Sequence, residues 1–120
     1  MKKRILVVDD EDNLRALYKE ELVQEGYEVI LAANAQEALD KIEKHQPDLV
    51  TLDIKMPGKD GIELLRELRT RYRKLPVIMC TAYGDYKQDF QTWAADAYVV
   101  KSPDFTQLKV AVKGILAENI

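Results

Sequence analysis

Cysteine is scarce in this chain of 120 residues, and a long apolar run is missing. The one cysteine, Cys80, cannot form an internal disulfide. It lies within a short apolar run, so we interpret it as a buried small hydrophobic residue rather than a nucleophile or a metal ligand. The basic residues 1–4 precede an apolar run that is too short for a signal peptide. These features predict a cytoplasmic protein without a membrane span.

An excess of positive charge is also missing. The chain has 18 Lys and Arg residues against 21 Asp and Glu residues, which gives a net charge of -3. This balance provides no electrostatic footprint for nucleic acid and no basic stripe for a membrane surface, so neither partner is expected. With 47% hydrophobic and 32% charged residues, the composition predicts one globular domain over residues 1–120 with a hydrophobic core of its own.

The stretch from Leu49 to Gly58 is the most informative part of the chain. It is an apolar run that ends in a carboxylate, Asp53, shortly before the turn signal Pro57-Gly58. Such a run predicts a buried strand whose carboxyl end opens at the surface, which is where open parallel sheets bind ligands. Taken alone, Asp53 is equally compatible with a residue that caps the following turn.

Strand-like runs and helical periodicities alternate five times along the sequence. The alternation, with short connections, predicts a doubly wound α/β fold, a parallel sheet of five strands with five helices on its two faces. The predicted strands cover residues 4–8, 27–32, 49–53, 76–81 and 97–100. The predicted helices run from Asp12 or Asn13 to Gln24, from the capping residue Asn34 to before Pro47, from the turn at 57–58 to Tyr72, over about 85–93, and from the cap Ser102 onwards.

Polar residues follow the predicted strands at their carboxyl ends. Right-handed crossovers bring all of these ends to one edge of a parallel sheet. Three carboxylates at one edge repel each other, and a hard cation such as Mg²⁺, which prefers oxygen ligands, removes that repulsion. An acidic metal pocket, a nucleophilic carboxylate, an ammonium group and a hydroxyl group are the parts that phosphoryl transfer needs. The residues concerned are Asp9, Asp10, Asp53, Thr81 and Lys101.

These residues, in this order, resemble the receiver domain of bacterial two-component response regulators over essentially the whole chain. The resemblance implies a flavodoxin-like sheet of order 2-1-3-4-5 and a phosphoacceptor that takes its phosphoryl group from a histidine kinase or a histidine phosphotransfer protein. A looser similarity to sporulation-type phosphorelay regulators is carried by Lys55-Met56-Pro57-Gly58 and Thr81-Ala82-Tyr83-Gly84. The matching positions are Asp9-Asp10, Asp53 with Met56-Pro57-Gly58, Thr81-Ala82, Tyr98 and Lys101.

The resemblance implies a role for each residue of the acidic group. Asp53 would be the phosphoacceptor. Asp10, Asp53 and the backbone carbonyl of Lys55 would bind Mg²⁺, and Asp9 would act through metal-bound water. Lys101 would pair with Asp53 and then with the phosphoryl oxygens. From the residues alone, Asp9 could instead cap the first helix.

The resemblance also implies a switch and its readout. The Thr81 hydroxyl, the Ala82 amide and Lys55 would hold the phosphoryl group together with Lys101. Tyr98 would turn inward as Thr81 moves, although seen alone it is a half-buried core residue. The fourth helix, the fifth strand and the last helix would form the surface that binds a downstream protein, in a monomer or a weak phosphorylation-dependent dimer.

The sequence departs from the family pattern after the lysine. Most members place proline directly after it, often with a cis peptide bond, whereas Ser102 here precedes Pro103. A cis bond before a residue other than proline costs about 2.5–4 kcal/mol. We favour a strained cis Lys101–Ser102 bond over a differently built trans loop. Ala94-Ala95, where the family tends to have glycine, leaves the end of the predicted fourth helix open.

Two other functions are compatible with some of these residues. A small Mg²⁺-dependent phosphatase with an aspartyl nucleophile usually carries a second acid two residues after it, where this chain has Lys55. A purely structural interaction module would not need the acidic group at all. We therefore expect a receiver that catalyses only its own phosphorylation and dephosphorylation, and not an enzyme with a separate substrate.

The sequence predicts a slow loss of the phosphoryl group from Asp53. Lys55 and Tyr83, each two residues beyond a site residue, should flank the path of the hydrolytic water, and both are large. Replacing both with smaller polar residues should therefore accelerate the decay of labelled phosphoprotein. An unchanged decay rate in the doubly substituted chain would contradict the prediction.

Overall fold

The computed structural model describes residues 2–54, 61–81 and 95–118. These contain five strands and four helices, and the predicted helix over 85–93 lies outside them. In the described part, no helix has the length and apolarity needed to cross a membrane. The elements in chain order are β1 (Arg4–Val8), α1 (Asp12–Gln24), β2 (Glu28–Ala32), α2 (Ala35–His45), β3 (Leu49–Asp53), α3 (Gly61–Arg71), β4 (Val77–Thr81), β5 (Ala97–Val100) and α4 (Thr106–Glu118).

The five strands form one parallel sheet in the order β2-β1-β3-β4-β5, as predicted. Strands β3 and β4 are buried along their whole length, and β1 is buried except at Arg4, as expected for apolar strands covered on both faces. The register pairs Val8 with Leu52, Asp53 with Cys80, and Thr81 with Val100. The carboxyl ends of the neighbouring strands therefore lie level with one another.

Each face of the sheet carries its own apolar core. Because successive strand residues point to opposite faces, Leu6 and Val8 pack with α2 and α3, whereas Ile5 and Val7 pack with α1 and α4. The helices thus pack on the central strands from both faces and hold in place the edge of the sheet at which the acidic residues lie.

Most predicted helix ends agree with the structure. Asn34 caps α2, since its side chain accepts a hydrogen bond from the Glu37 amide at 2.9 Å, and Glu37 in turn accepts one from the Ala33 amide at 3.1 Å. Gly26, just after α1, has φ 96°, which is a left-handed conformation that glycine adopts at little cost.

Two expectations around Lys101 are wrong. Among the described residues there is no cis peptide bond, so Lys101–Ser102 is trans, and the lysine reaches the acidic residues without the cost of a non-proline cis bond. The last helix begins at Thr106 rather than directly after Ser102. Ser102 and Asp104 instead accept hydrogen bonds from the amides two residues on, Asp104 and Thr106, which forms two successive turns before the helix.

Gly61 allows α3 to begin directly against the end of β3. Its amide donates to the Ile54 carbonyl at 2.8 Å. A Cβ at this position would overlap the carbonyl oxygen of Asp53 and lie 2.7 Å from the Cα of Ile54. The backbone that carries Asp53 is therefore packed against a position where only glycine fits.

We expect Gly61→Ala to destabilise the protein by about 1–3 kcal/mol, because neither backbone can move without loosening the packing of α3. The matched control is Gly114→Ala in α4, where an added Cβ has no heavy atom within 4 Å. That change should raise stability by about 0.5–1 kcal/mol, because alanine favours a helix interior. Urea unfolding of both variants measures the difference, and equal effects would contradict the steric argument.

Candidate functional site

Three carboxylates converge at the carboxyl edge of the sheet. Asp9 follows β1 directly and Asp53 ends β3, and both are buried, with 1% and 7% of their surface exposed. Asp10 is exposed. One oxygen from each of the three lies within 4.8 Å of the others. The strands, which are adjacent in the sheet, thus bring together residues that are distant in the sequence, as predicted.

Lys101 reaches into this group from the end of β5. Its Nζ donates to Oδ2 of Asp9 at 2.9 Å and lies 3.3 Å from Oδ1 of Asp53. Burial by itself lowers the pKa of the Lys101 ammonium, but the hydrogen bond to Asp9 and the charges of Asp53 and Asp9 outweigh burial and hold that pKa above its ordinary value. Lys101 is therefore a fixed positive charge at the acidic site.

Thr81 and Tyr98 lie on the last two strands, Thr81 at the carboxyl end of β4 and Tyr98 two residues before the end of β5. Thr81 ends β4 and is buried, and its carbonyl accepts a hydrogen bond from the Lys101 amide at 2.6 Å. Tyr98 is half-buried on β5, beside Met79 in the register, and packs against the core on the α2 and α3 face. The predicted Lys55 and Ala82, as well as Tyr83, lie outside the described residues.

Asp9 does not cap α1, whose N-cap is Glu11, but it makes three further contacts in the structure. The predicted roles place Asp9 behind a metal-bound water and pair Lys101 with Asp53, yet the shorter of the two contacts of Lys101 is the one to Asp9. Oδ1 of Asp9 also accepts the Glu11 amide at 2.9 Å, and the Arg15 guanidinium donates to the Asp9 carbonyl at 2.6 Å. No sequence pattern singles out Arg15, because this contact depends on how α1 leaves β1.

The donor set fits a hard divalent cation. Carboxylate oxygens are the ligands that Mg²⁺ prefers, and one or two of them commonly hold it together with water and phosphate. Asp9, Asp10 and Asp53 bring three carboxylates together, and Lys101 contacts two of them. A divalent cation would offset the repulsion among these carboxylates.

Cys80 is close to the acidic group in the sheet but is chemically inert. It is 2% exposed, and burial raises the pKa of its thiol to about 12. A thiol that stays protonated is a poor nucleophile and a poor metal ligand. Its interpretation as a buried small residue is confirmed.

Comparison with known proteins agrees with this geometry. The family model described as "Response regulator receiver domain" matches residues 5–113. Sporulation initiation phosphotransferase F of Bacillus subtilis is 41% identical over 118 residues, which are 97% of this chain and 95% of that protein.

Two solved structures of the response regulator TrrA are also similar. TrrA of Thermotoga maritima in complex with Mg(2+)-BeF is 53% identical, with a TM-score of 0.90 over 93% of this chain and 97% of TrrA. TrrA in complex with the histidine kinase ThkA matches with the same identity and TM-score over 95% of this chain and 98% of the matched chain. By sequence, fold and the grouping of its acidic residues, this chain belongs to the response regulator receiver domain family.

Proposed function

We propose that this chain accepts a phosphoryl group on Asp53 and acts as a receiver in a two-component system or phosphorelay. The observation that carries the proposal is the position of the buried Asp53 carboxylate, 3.3 Å from the Lys101 ammonium and within 4.8 Å of two further carboxylates. A nucleophile of this kind needs a nearby positive charge and a site for a cation, since phosphoryl transfer depends on positioning and charge stabilisation.

The transfer step forms one bond and breaks one. An oxygen of Asp53 attacks phosphorus, and the phosphorus–nitrogen bond of a phosphohistidine donor breaks. The leaving imidazole nitrogen keeps the electron pair and takes a proton from solvent. In the dephosphorylation that ends the signal, a water oxygen attacks phosphorus, the bond between phosphorus and the Asp53 oxygen breaks, inorganic phosphate and a proton leave, and the Asp53 carboxylate is restored. The chain would thus catalyse only its own phosphorylation and dephosphorylation.

We propose that Asp10, Asp53 and the Lys55 carbonyl bind Mg²⁺ and that Asp9 completes the metal site through metal-bound water. When bound, this ion neutralises the charge that develops on the phosphoryl oxygens. The grouping of the three carboxylates supports this assignment, as does the TrrA structure with Mg(2+)-BeF. Arg15 and the Glu11 amide would keep Asp9 oriented, because they hold its carbonyl and its side chain from outside the cluster.

Lys101 would stabilise the phosphoryl group after transfer. Its ammonium is shared between Asp9 and Asp53 and lies close enough to move to a phosphoryl oxygen on Asp53 with a small side-chain rotation. Thr81, Ala82 and Lys55 would complete the binding of the phosphoryl group. Tyr98 would turn inward with Thr81 and so change the surface formed by the predicted 85–93 helix, β5 and α4.

The proposed donors are a histidine kinase or a histidine phosphotransfer protein. The complex of TrrA with ThkA supports the first, and the similarity to a sporulation initiation phosphotransferase supports a place in a phosphorelay. We further propose that residues 1–120 form one receiver domain, that a downstream protein binds the switched surface, and that the phosphorylated chain is a monomer or a weak dimer. The cytoplasmic location stays a prediction from the sequence.

Incubation with acetyl phosphate and Mg²⁺ tests the acceptor. We expect intact-mass spectrometry to find one phosphoryl group on the wild-type chain and none on Asp53→Asn. Asp40→Asn is the matched control, because Asp40 is exposed on α2 and away from the acidic edge, and it should be phosphorylated as well as wild type. Phosphorylation of Asp53→Asn to the wild-type level would disprove the assignment.

Substitution of Lys101 should separate metal binding from phosphorylation. Lys101→Ala removes the ammonium that competes for Asp9 and Asp53, so Mg²⁺ affinity by calorimetry should stay equal or increase. The rate of phosphorylation by acetyl phosphate should fall by about tenfold to a hundredfold, because the charge on the phosphoryl group loses its partner. Lys113→Ala, at an exposed position of α4, should change neither quantity. A Lys101→Ala variant with a normal rate would exclude the proposed role.

A further inference from the structure

A cavity of about 580 Å³ lies at the edge of the sheet opposite the acidic group. It opens between the carboxyl ends of α2 and α3, where Gln46 and Pro47 lead into β3 and Leu75 precedes β4. The five-residue strand β3 separates it from Asp53 by about 13 Å or more. The cavity is therefore no part of the phosphoryl site, and its volume is in the range of pockets that hold small molecules.

The inner wall of the cavity is apolar. Ile42 is buried in the core on the α2 and α3 face, and Tyr72 and Leu75 pack against the same core while each remains half-buried. Pro47 completes this wall. Ile42 and Pro47 are themselves buried, so the apolar surface that the cavity leaves open is that of Tyr72 and Leu75.

The rim of the cavity is positively charged. Arg71, Arg73 and Lys74 line it, and no acidic residue among those that the structure describes does. Arg71 has partners within the protein, since it lies 3.1 Å from Glu67 and its guanidinium is 5.6 Å from the centre of the Tyr72 ring. Within the described part of the chain, Arg73 and Lys74 have no carboxylate within ion-pair distance. Two exposed cations therefore stand beside an apolar wall in a chain whose net charge is negative.

The backbone around the cavity does not use these cations. The carbonyl groups at the end of a helix need donors, and a nearby lysine or arginine often supplies them. Here the Arg69 guanidinium donates to the carbonyls of Arg73 and Leu75, and the Gln46 amide donates to that of Ile42. The charges of Arg73 and Lys74 are thus not needed to end α2 or α3.

We propose that this cavity binds a small organic anion with a flat apolar body, of the class of aromatic carboxylates, sulfonates or phosphates. The ring of such a ligand would lie against the exposed parts of Tyr72 and Leu75, and its anionic group would lie between Arg73 and Lys74. The ligand would be recognised by two features at once, because either the apolar wall or the charge alone binds only weakly at an open site.

Anilinonaphthalene sulfonate, an anion with a flat apolar body, is the probe for the test. We expect saturable fluorescence enhancement, and chemical-shift changes in NMR spectra at cavity residues such as Gln46, Thr70 and Leu75. Phenylnaphthylamine, which has the same rings without the sulfonate, should bind about tenfold more weakly. Wild-type protein without phosphoryl donor or Mg²⁺ is used, so the result does not depend on the proposed phosphorylation.

Charge variants complete the test. Arg73→Glu/Lys74→Glu should weaken binding of the probe at least about tenfold, and Arg73→Ala/Lys74→Ala should weaken it less. The control Lys19→Glu/Lys113→Glu makes the same change in net charge at exposed positions of α1 and α4, and should leave affinity within about twofold of wild type. Equal losses in the two Glu pairs, equal binding of the neutral compound, shifts confined to other residues, or the lack of saturable binding would each overturn the proposal.

Discussion

The repulsion among three carboxylates at the end of a parallel sheet is the constraint around which the site is built. Asp9 and Asp53 are buried, and burying like charges together is costly unless a cation is present. Lys101 supplies a positive charge, since its Nζ lies 2.9 Å from Oδ2 of Asp9 and 3.3 Å from Oδ1 of Asp53. The apolar layers on both faces of the sheet hold the strands level and supply the stability that opposes the repulsion. The packed core therefore allows carboxylates that repel each other to stay close together at the polar edge of the sheet.

Helix α3 runs along β3 from the carboxyl end of the strand back to its amino end. It begins at Gly61, whose amide binds the Ile54 carbonyl next to Asp53, and it ends beside the cavity wall formed by Tyr72 and Leu75. The helix is packed on β3 over its buried side, with Leu64, Leu65 and Leu68 fully covered. A shift of α3 along its axis would therefore displace residues at the acidic group and at the cavity together. Close packing transmits such displacements because the interior has little free volume.

The alternation of strands and helices was sufficient to predict the five-stranded parallel sheet, and the strand ends predicted the grouping of the acidic residues, whereas the strand order followed from the resemblance to receiver domains. Each strand was placed to within one residue of its observed ends. The trans bond after Lys101 and the later start of α4 were not foreseen, because local hydrogen bonds of Ser102 and Asp104 decide them. The position of the Lys101 ammonium between Asp9 and Asp53 depends on interatomic distances, which no residue pattern contains. Contacts of Arg15 and Gly61 likewise depend on how helices leave the strands.

The buried thiol of Cys80 has a practical consequence for measurements on this protein. It lies on β4, between β3 and β5, and pairs with Asp53 in the register, and it packs in the core on the α1 and α4 face. A thiol-modifying reagent can reach it only when the layer of α1 and α4 opens from the sheet, so the rate of its modification reports the frequency of that local opening. Cys80 is the one cysteine in the chain, so this rate can be measured without an engineered label and without modification at any other cysteine.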